Sequence, residues 1–332
     1  MKISIPKENR AGETRVAASP EVVKKFTAMG FDVTVESGAG INSGFTDEIF
    51  KDSGANIASD TKSTLSDADI VFKIQRLMTS NDEINEIAMC KKDAMVLSHM
   101  SALVSKKDSE EYAKASLTTF AMDLMPRITR AQSMDVLSSQ SNLSGYQAVI
   151  KGASSFNSAF PMMMTAAGTV APAKVFIMGV GVAGLQAIAT AKRMGAVVFA
   201  TDVRIASKEQ VESLGGKFLT VEGAENLETE GGYAKEASED FKKKQEQLLS
   251  ETLKKIDIVI CTALIPGKKA PVIIKENMIA NMQSGSVIYD LAAVQGGNSA
   301  FSEVDKIIDK DGVRIIGETN ILNKLPISAS SL

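Results

Sequence analysis

The chain has 332 residues, 44% of them apolar and 23% charged, with a formal net charge of -3. That length exceeds one ordinary core and suits two domains of roughly 150 residues, and the balance of residue types excludes disordered and fibrous classes. Near-neutral charge without Lys/Arg clusters speaks against nucleic-acid binding, and the only cysteines, Cys90 and Cys261, with the single His99, exclude cysteine-built and multi-histidine metal sites and suit buried, reduced thiols.

The N-terminus, Met1-Lys-Ile-Ser-Ile, reads as a strand centred on residues 3–5 and lacks the charged-then-apolar order of a signal peptide. Ser19-Pro20-Glu21 opens a helix with an N-cap hydroxyl, proline at N1 and an acid in the first turn, ending near Gly30. Strands at 33–35, 70–74, 95–98 and 119–122 alternate with helices and make a first, doubly wound half. Residues 131–144, rich in Ser, Gln and Asn, break that rhythm as a linker or a site loop. A helix over 149–164 and a short apolar strand at 175–178 follow. Strands at 197–201, 217–219, 258–262, 287–290 and 313–316 complete a second sheet.

Between Gly152 and Ala191 the only charge is Lys174, but Pro161, Gly168, Pro172 and the glycines from Gly179 interrupt the run. A spanning helix needs about 20 uninterrupted apolar residues, so no membrane insertion is expected. Residues 221–240 carry seven acids against one lysine. They read as a solvated acidic loop or as a mobile lid over a cofactor.

The sharpest motif is Gly179-Val-Gly-Val-Ala-Gly184, between the strand at 175–178 and a helix over 185–194. Gly179 permits the tight turn, Gly181 lets a pyrophosphate approach the backbone, and Gly184 lets helix and strand pack closely. The helix N-terminus supplies N–H groups and a positive dipole end to the phosphates. Asp202 stands 23 residues after Gly179, at the end of the next strand. An acid there accepts from adenosine ribose hydroxyls and repels a 2′-phosphate, favouring NAD over NADP; Arg204, two residues on, weakens that preference slightly. The pattern implies two Rossmann-like, doubly wound α/β domains with mostly parallel sheets.

Two constellations compete for the chemistry. Arg15, Lys73 and His99, with Lys73 at a strand end, would suit a keto-acid dehydrogenase: a guanidinium for a carboxylate, an amine, and an imidazole acid/base. Each has a plain alternative: Arg15 as a surface ion pair, Lys73 as a strand-end lysine, His99 as a satisfied buried ring. The loop from Arg127 through Arg130, Gln132, Asp135 and Ser138 to Gln140 holds an arginine, an amide and a carboxylate, able to position a carboxamide and ribose without any proton donor. Hydride passing between two cofactors needs positioning and no acid/base. The plain alternative is a solvated interdomain linker.

Several segments carry a family resemblance: Ile5-Pro-Lys-Glu8, Arg15-Val-Ala-Ala-Ser-Pro20, Met125-Pro-Arg-Ile-Thr-Arg-Ala-Gln-Ser-Met-Asp135, Pro161-Met-Met-Met-Thr-Ala-Ala-Gly168, Gln186-Ala-Ile-Ala-Thr-Ala-Lys-Arg193, Gly231-Gly-Tyr-Ala-Lys235 and Thr262-Ala-Leu-Ile-Pro-Gly267. On these the chain resembles the NAD(H)-binding alpha component of proton-translocating NAD(P) transhydrogenases, and more distantly alanine dehydrogenases.

The resemblance implies hydride exchange between NAD(H) here and NADP(H) on a partner domain, coupled to proton movement through a separate membrane domain. It places Arg127, Gln132, Asp135 and Ser138 at the nicotinamide end, flanked by Ile128 and Thr129. Gly179, Gly181, Val182, Ala183, Gly184, Asp202, Val203, Arg204, Gly232, Gln245 and Leu264 would hold the rest of the cofactor, with Tyr233 on a closing loop. It implies a homodimer, peripheral on the cytoplasmic side of the inner membrane through membrane-spanning and NADP(H)-binding subunits. It also implies a first domain of residues 1–138 and 320–332 and a second of 139–319.

Arg15, Lys73 and His99 match the alanine dehydrogenase substrate pattern, but transhydrogenases keep similar residues. Two departures stand out. Val294 replaces an expected acid in Asp290-Leu-Ala-Ala-Val-Gln-Gly-Gly297, and the family continues past Leu332, so a segment returning to the first domain is expected to be missing. The rival readings are a stand-alone amino-acid dehydrogenase and an NAD-binding module without activity.

Overall fold

The computed structural model describes residues 1–221, 238–265 and 267–332. The chain divides into two compact units, one of Met1–Gln140 with Leu322–Leu332, the other of Ser141–Ile321.

In the first unit, strands β1 (Lys2–Ile5), β2 (Asp32–Glu36), β3 (Asn56–Ala58), β4 (Ile70–Gln75), β5 (Met95–His99) and β6 (Thr118–Ala121) form a parallel sheet of order β3-β2-β1-β4-β5-β6. Helices α1 (Pro20–Ala28), α2 (Asp47–Asp52), α3 (Thr61–Leu65) and α4 (Lys106–Lys114) connect the strands. Parallel sheets bury both faces under their crossovers, and Ile3, Ile5, Val33 and Val35 pack with Val23 of α1 in one core. Val71, Val96 and Leu65 pack in another with Tyr112 of α4. α1 starts where the sequence indicates, yet Ser19, though extended, makes no side-chain cap bond; the fixed φ of Pro20 already sets the first turn. The chain's last helix, Pro326–Ser331, belongs to this unit: Ser330 Oγ accepts the buried Val16 N–H at 3.0 Å and meets Ser43 Oγ at 2.9 Å.

Helix α5 (Val136–Ser155) carries the chain into the second unit. Most of the stretch read as irregular is therefore helical, and the helix ends well before the expected 164. Asp135 explains the early start: its carboxylate accepts Ser138 N–H at 2.9 Å and Ser138 Oγ–H at 2.6 Å, an N-cap bond at the third helical position. Beyond the helix, β7 (Met163–Thr165) and β8 (Gly168–Val170) form an antiparallel hairpin of their own.

The second sheet contains β9 (Lys174–Met178), β10 (Val197–Thr201), β11 (Lys217–Phe218), β12 (Ile258–Cys261), β13 (Val287–Asp290), β14 (Ile307–Lys310) and β15 (Val313–Ile316), in the order β11-β10-β9-β12-β13-β15-β14. Among its described strands only β14 runs antiparallel, against β15. Val175 lies between Val198 and Ile258 in register, which makes β9 the strand where the order reverses. Such reversals open a crevice at the strands' carboxyl ends, where α/β proteins bind ligands. Helices α6 (Val182–Arg193), α7 (Ser207–Ser213), α8 (Glu239–Leu253) and α9 (Glu276–Ile279) accompany this sheet. The apolar run from Gly152 resolves into a helix end, the hairpin, β9 and α6. Among the described residues no helix is long and apolar enough to cross a membrane.

Candidate functional site

The turn from β9 to α6 shows what each glycine does. Gly179 has φ +92°, a left-handed conformation that favours glycine. A Cβ on Gly184 would lie 2.0 Å from the Gly179 carbonyl oxygen, so helix and strand close on each other there. Gly181 differs. Its φ of -80° suits any residue, and a Cβ on it would meet nothing within 4 Å. The first bond of α6 is Leu185 N–H to the Gly181 carbonyl, so the preceding N–H groups stand at the free helix start. The turn thus offers amide donors beside open space, the cradle that a pyrophosphate requires. Val182 and Ala183 are half-buried in this first turn, and the Ala183 carbonyl is met closely by Gly145 of α5.

Asp202 follows β10 and braces the same turn by accepting Val180 N–H at 2.7 Å. Arg204 grips it bidentately, with Nε to Oδ1 and Nη2 to Oδ2 both at 2.9 Å. Burial raises the Asp202 pKa, but the Arg204 guanidinium and the N–H groups of Val180 and Arg204 outweigh it and hold the carboxyl below its usual range. Val203 between them is half-buried. Across the sheet, Thr262 Oγ1 donates to the Gly179 carbonyl at 2.9 Å, and Leu264 is exposed two residues later. Sequence reasoning missed Asn298, wholly buried, which accepts Ala263 N–H at 2.9 Å and donates to the Ala263 and Pro271 carbonyls. It fixes the loop that carries Leu264, and the glycine pair before it was the available signal. Gln245 is half-buried on α8. Gly232 and Tyr233, with most of the acidic segment, lie outside the described residues.

In the first unit, Arg127, Ile128, Thr129 and Gln132 are exposed, on and just before a 3-10 stretch Thr129–Met134 anchored by buried Ala131. Asp135 and Ser138 are half-buried and joined as the cap of α5. The segment therefore presents a guanidinium and an amide to solvent ahead of a rigid helix start.

The other constellation is internally paired, with Arg15 and Glu13 near enough to His99 to act on its charge. Lys73 lies inside β4 rather than at its end, with a fully buried side chain donating to Glu86 at 2.7 and 2.8 Å. Arg15 is forked onto Glu13 at 2.7 and 2.6 Å and donates to Gln140 at 3.0 Å. Gln75, which pairs with His99 in the sheet, donates to the same Glu13. His99 has its pKa lowered, chiefly by burial and also by Arg15, against the opposite pull of Asp123 and Glu13. Both cations are held by internal carboxylates, so Lys73 is not available to act with the imidazole. Val294 is an exposed apolar side chain, and the buried Asp290 carboxylate is taken up by the N–H groups of Ala292, Asn298 and Ser299 and the Ser302 hydroxyl. Among the described residues no acid, histidine or cysteine cluster could hold a metal. Both thiols are free, Cys261 buried and Cys90 only half-buried.

Comparisons with known proteins agree over the whole chain. Residues 4–144 match the family described as Alanine dehydrogenase/PNT, N-terminal domain, and residues 148–332 match Alanine dehydrogenase/PNT, C-terminal domain. The chain is 58% identical over 334 residues to the first segment of the NAD(P) transhydrogenase alpha subunit of Rhodospirillum rubrum, covering all of this chain and 87% of that protein. A solved structure of transhydrogenase from Sinorhizobium meliloti superposes with a TM-score of 0.89 at 47% identity, over 99% of this chain and 89% of that one. An alanine dehydrogenase from Methanococcus maripaludis is more distant, 27% identical over 314 residues, 94% of this chain and 76% of that protein. The chain belongs to the alanine dehydrogenase/PNT family and, within it, to the line of NAD(P) transhydrogenase alpha subunits.

Proposed function

We propose that this chain is the NAD(H)-binding component of a proton-translocating NAD(P) transhydrogenase, exchanging hydride between NAD(H) held here and NADP(H) held on a partner domain. The observation that carries the reading is the β9–α6 turn: Gly181 faces open space beside the amides of α6, with the Asp202 carboxylate behind. The residues fit a dinucleotide. The turn's N–H groups meet the pyrophosphate, Asp202 and Val203 meet the adenosine ribose, and Gln245 and Leu264 flank the remainder.

A bound nicotinamide supplies the hydride position itself. Arg127 and Gln132 grip its carboxamide and ribose, with Asp135 and Ser138 fixing the helix start behind them. None of these four has to give or take a proton, which suits direct transfer, where the work is positioning. The alanine dehydrogenase reading is weaker, because Arg15 and Lys73 are already bound by Glu13 and Glu86. By analogy with relatives named as alpha subunits, the partners are membrane-spanning and NADP(H)-binding subunits and a second copy of this chain, on the cytoplasmic side of the inner membrane.

The test mixes the chain with an NADP(H)-loaded partner domain and follows reduction of an NAD analogue by NADPH. Gln132→Asn withdraws the amide by about 1 Å, and a misplacement of that size costs about a hundredfold in rate, so turnover falls steeply while NADH binding holds. His99→Ala leaves transfer nearly intact. Alanine-dependent NADH formation that His99→Ala abolishes and Gln132→Asn spares would reverse the conclusion.

A further inference from the structure

The Asp202 carboxylate has every acceptor position filled. Oδ1 takes the Arg204 N–H and Arg204 Nε–H, both at 2.9 Å; Oδ2 takes Val180 N–H at 2.7 Å and Arg204 Nη2–H at 2.9 Å. A carboxylate offers about four lone-pair sites, so a ribose diol gains entry only if a donor leaves. Two of the donors are main chain, one held by the glycine turn and one by the bend after β10. The other two belong to one guanidinium, whose side chain is 18% exposed while that of Asp202 is 8% exposed.

From this accounting we infer that the Arg204 guanidinium is an internal stand-in for the adenosine ribose diol, exchanged for it when NAD(H) binds, and that the same side chain moderates how strongly a 2′-phosphate is refused. The inference rests on Asp202 being the ribose acceptor. A guanidinium fork and a vicinal diol both present two donors side by side to a carboxylate, so the exchange keeps the acceptor count constant. No covalent bond changes. Until displaced, Arg204 cancels the charge that would repel a 2′-phosphate, and after displacement it remains a nearby cation able to greet one. The discrimination of this site is therefore narrower than its aspartate alone would give, and removal of the guanidinium should widen it.

The experiment measures dissociation constants for NADH and NADPH by fluorescence titration of the full chain as wild type, R204M, R204K and D202A. Met keeps the apolar stem without charge or donors, and Lys keeps the charge without the fork. R204M should bind NADH several-fold tighter than wild type, and NADPH about tenfold more weakly; R204K should bind NADPH close to wild type. In ligand-free melts R204M should lose stability, and saturating NADH should restore it to the wild-type liganded value, because the diol replaces the lost donors. A tenfold loss of NADH affinity in R204M would show that Arg204 holds the ligand rather than its place, and an unchanged NADH/NADPH ratio would remove its part in selectivity. If D202A leaves NADH binding unaltered, the ribose assignment itself has failed; if D202A weakens NADH and R204M does so equally, only the exchange has failed. Arg204→Gln repeats the comparison should R204M melt below the assay temperature.

Discussion

Gly181 and Gly184 are two residues of one type with opposite reasons to be glycine. At Gly184 the obstacle is internal, since a methyl would sit 2.0 Å from a backbone oxygen. Gly184→Ala should destabilise the second unit by about 1–3 kcal/mol, the cost of overpacking, visible in denaturant melts without ligand. At Gly181 the backbone is ordinary and the space is open, so Gly181→Ala should change stability by no more than about 0.5 kcal/mol yet weaken NADH about tenfold or more. Equal effects of the two on ligand-free stability would dismiss the distinction.

Glu8 gives a second case at this scale. Its Oε1 accepts Ile74 N–H at 2.7 Å, while Oε2 has no hydrogen-bond partner among the described residues and stands 3.7 Å from Lys73 Nζ. Burial pushes its pKa from 4.5 up to about 7, against the pull of Lys73 on β4 and with help from the charges of Glu13 and Glu86. A carboxyl whose pKa rises on folding binds its proton more tightly in the folded state, so its contribution is fully present below about pH 4.5 and is lost as pH rises through about 7. Glu8→Gln should flatten the fall of melting temperature between those two values; an unaltered slope would assign it elsewhere.

At the scale of elements, α5 decides most. Its start is an Asp135 cap, and its middle depends on small residues: a Cβ on Gly145 would lie 2.0 Å from the Ala183 oxygen, and one on Gly152 would press Ile258 and Ile260. Asp135→Ala should therefore cost about 1 kcal/mol of stability through the lost cap in addition to any effect on turnover. Asp135→Ser, which restores a capping oxygen without the charge, should recover stability; if it also restores hydride transfer, the carboxylate serves the helix alone. The hairpin of β7 and β8 is the other element that local pattern misread, because Met162, Met163 and Met164 look like helix interior but are exposed.

At the scale of the molecule, the second unit is continuous in sequence and has its own core, from Phe176 and Met178 to Leu249, Leu253, Ile288 and Ile315. Residues 135–321, which retain α5 with its cap, should fold cooperatively and be stabilised by NADH, yet support no transfer from an NADPH-loaded partner because Arg127 and Gln132 are absent. The first unit, by contrast, needs the chain's closing segment, 322–332. Deleting it leaves Val16 N–H without the Ser330 oxygen and Gln140 without the Ala329 carbonyl. Calorimetry should then show the first unit melting earlier while the transition of the second stays in place.

What the residues determine alone is whatever is local and repeated. Short apolar runs mark β1, β2, β4, β5, β9, β10, β12, β13 and β15, and the spacing from Gly179 to Asp202 marks a dinucleotide turn, because a strand, a glycine bend and a helix start follow from neighbours in sequence. The three-residue β3 and the polar strand β14 were illegible, since pairing with β2 and β15 rather than composition makes them strands. The site divides the same way. The motif was plain, but only tertiary structure decided that Lys73 is sealed against Glu86, that Arg15 is held by Glu13 and by Gln140 across 125 residues of sequence, and that Asn298 steadies a loop 35 residues before it. Whether a charged side chain is free for a ligand depends on the partner that folding brings to it, and no local pattern records that partner.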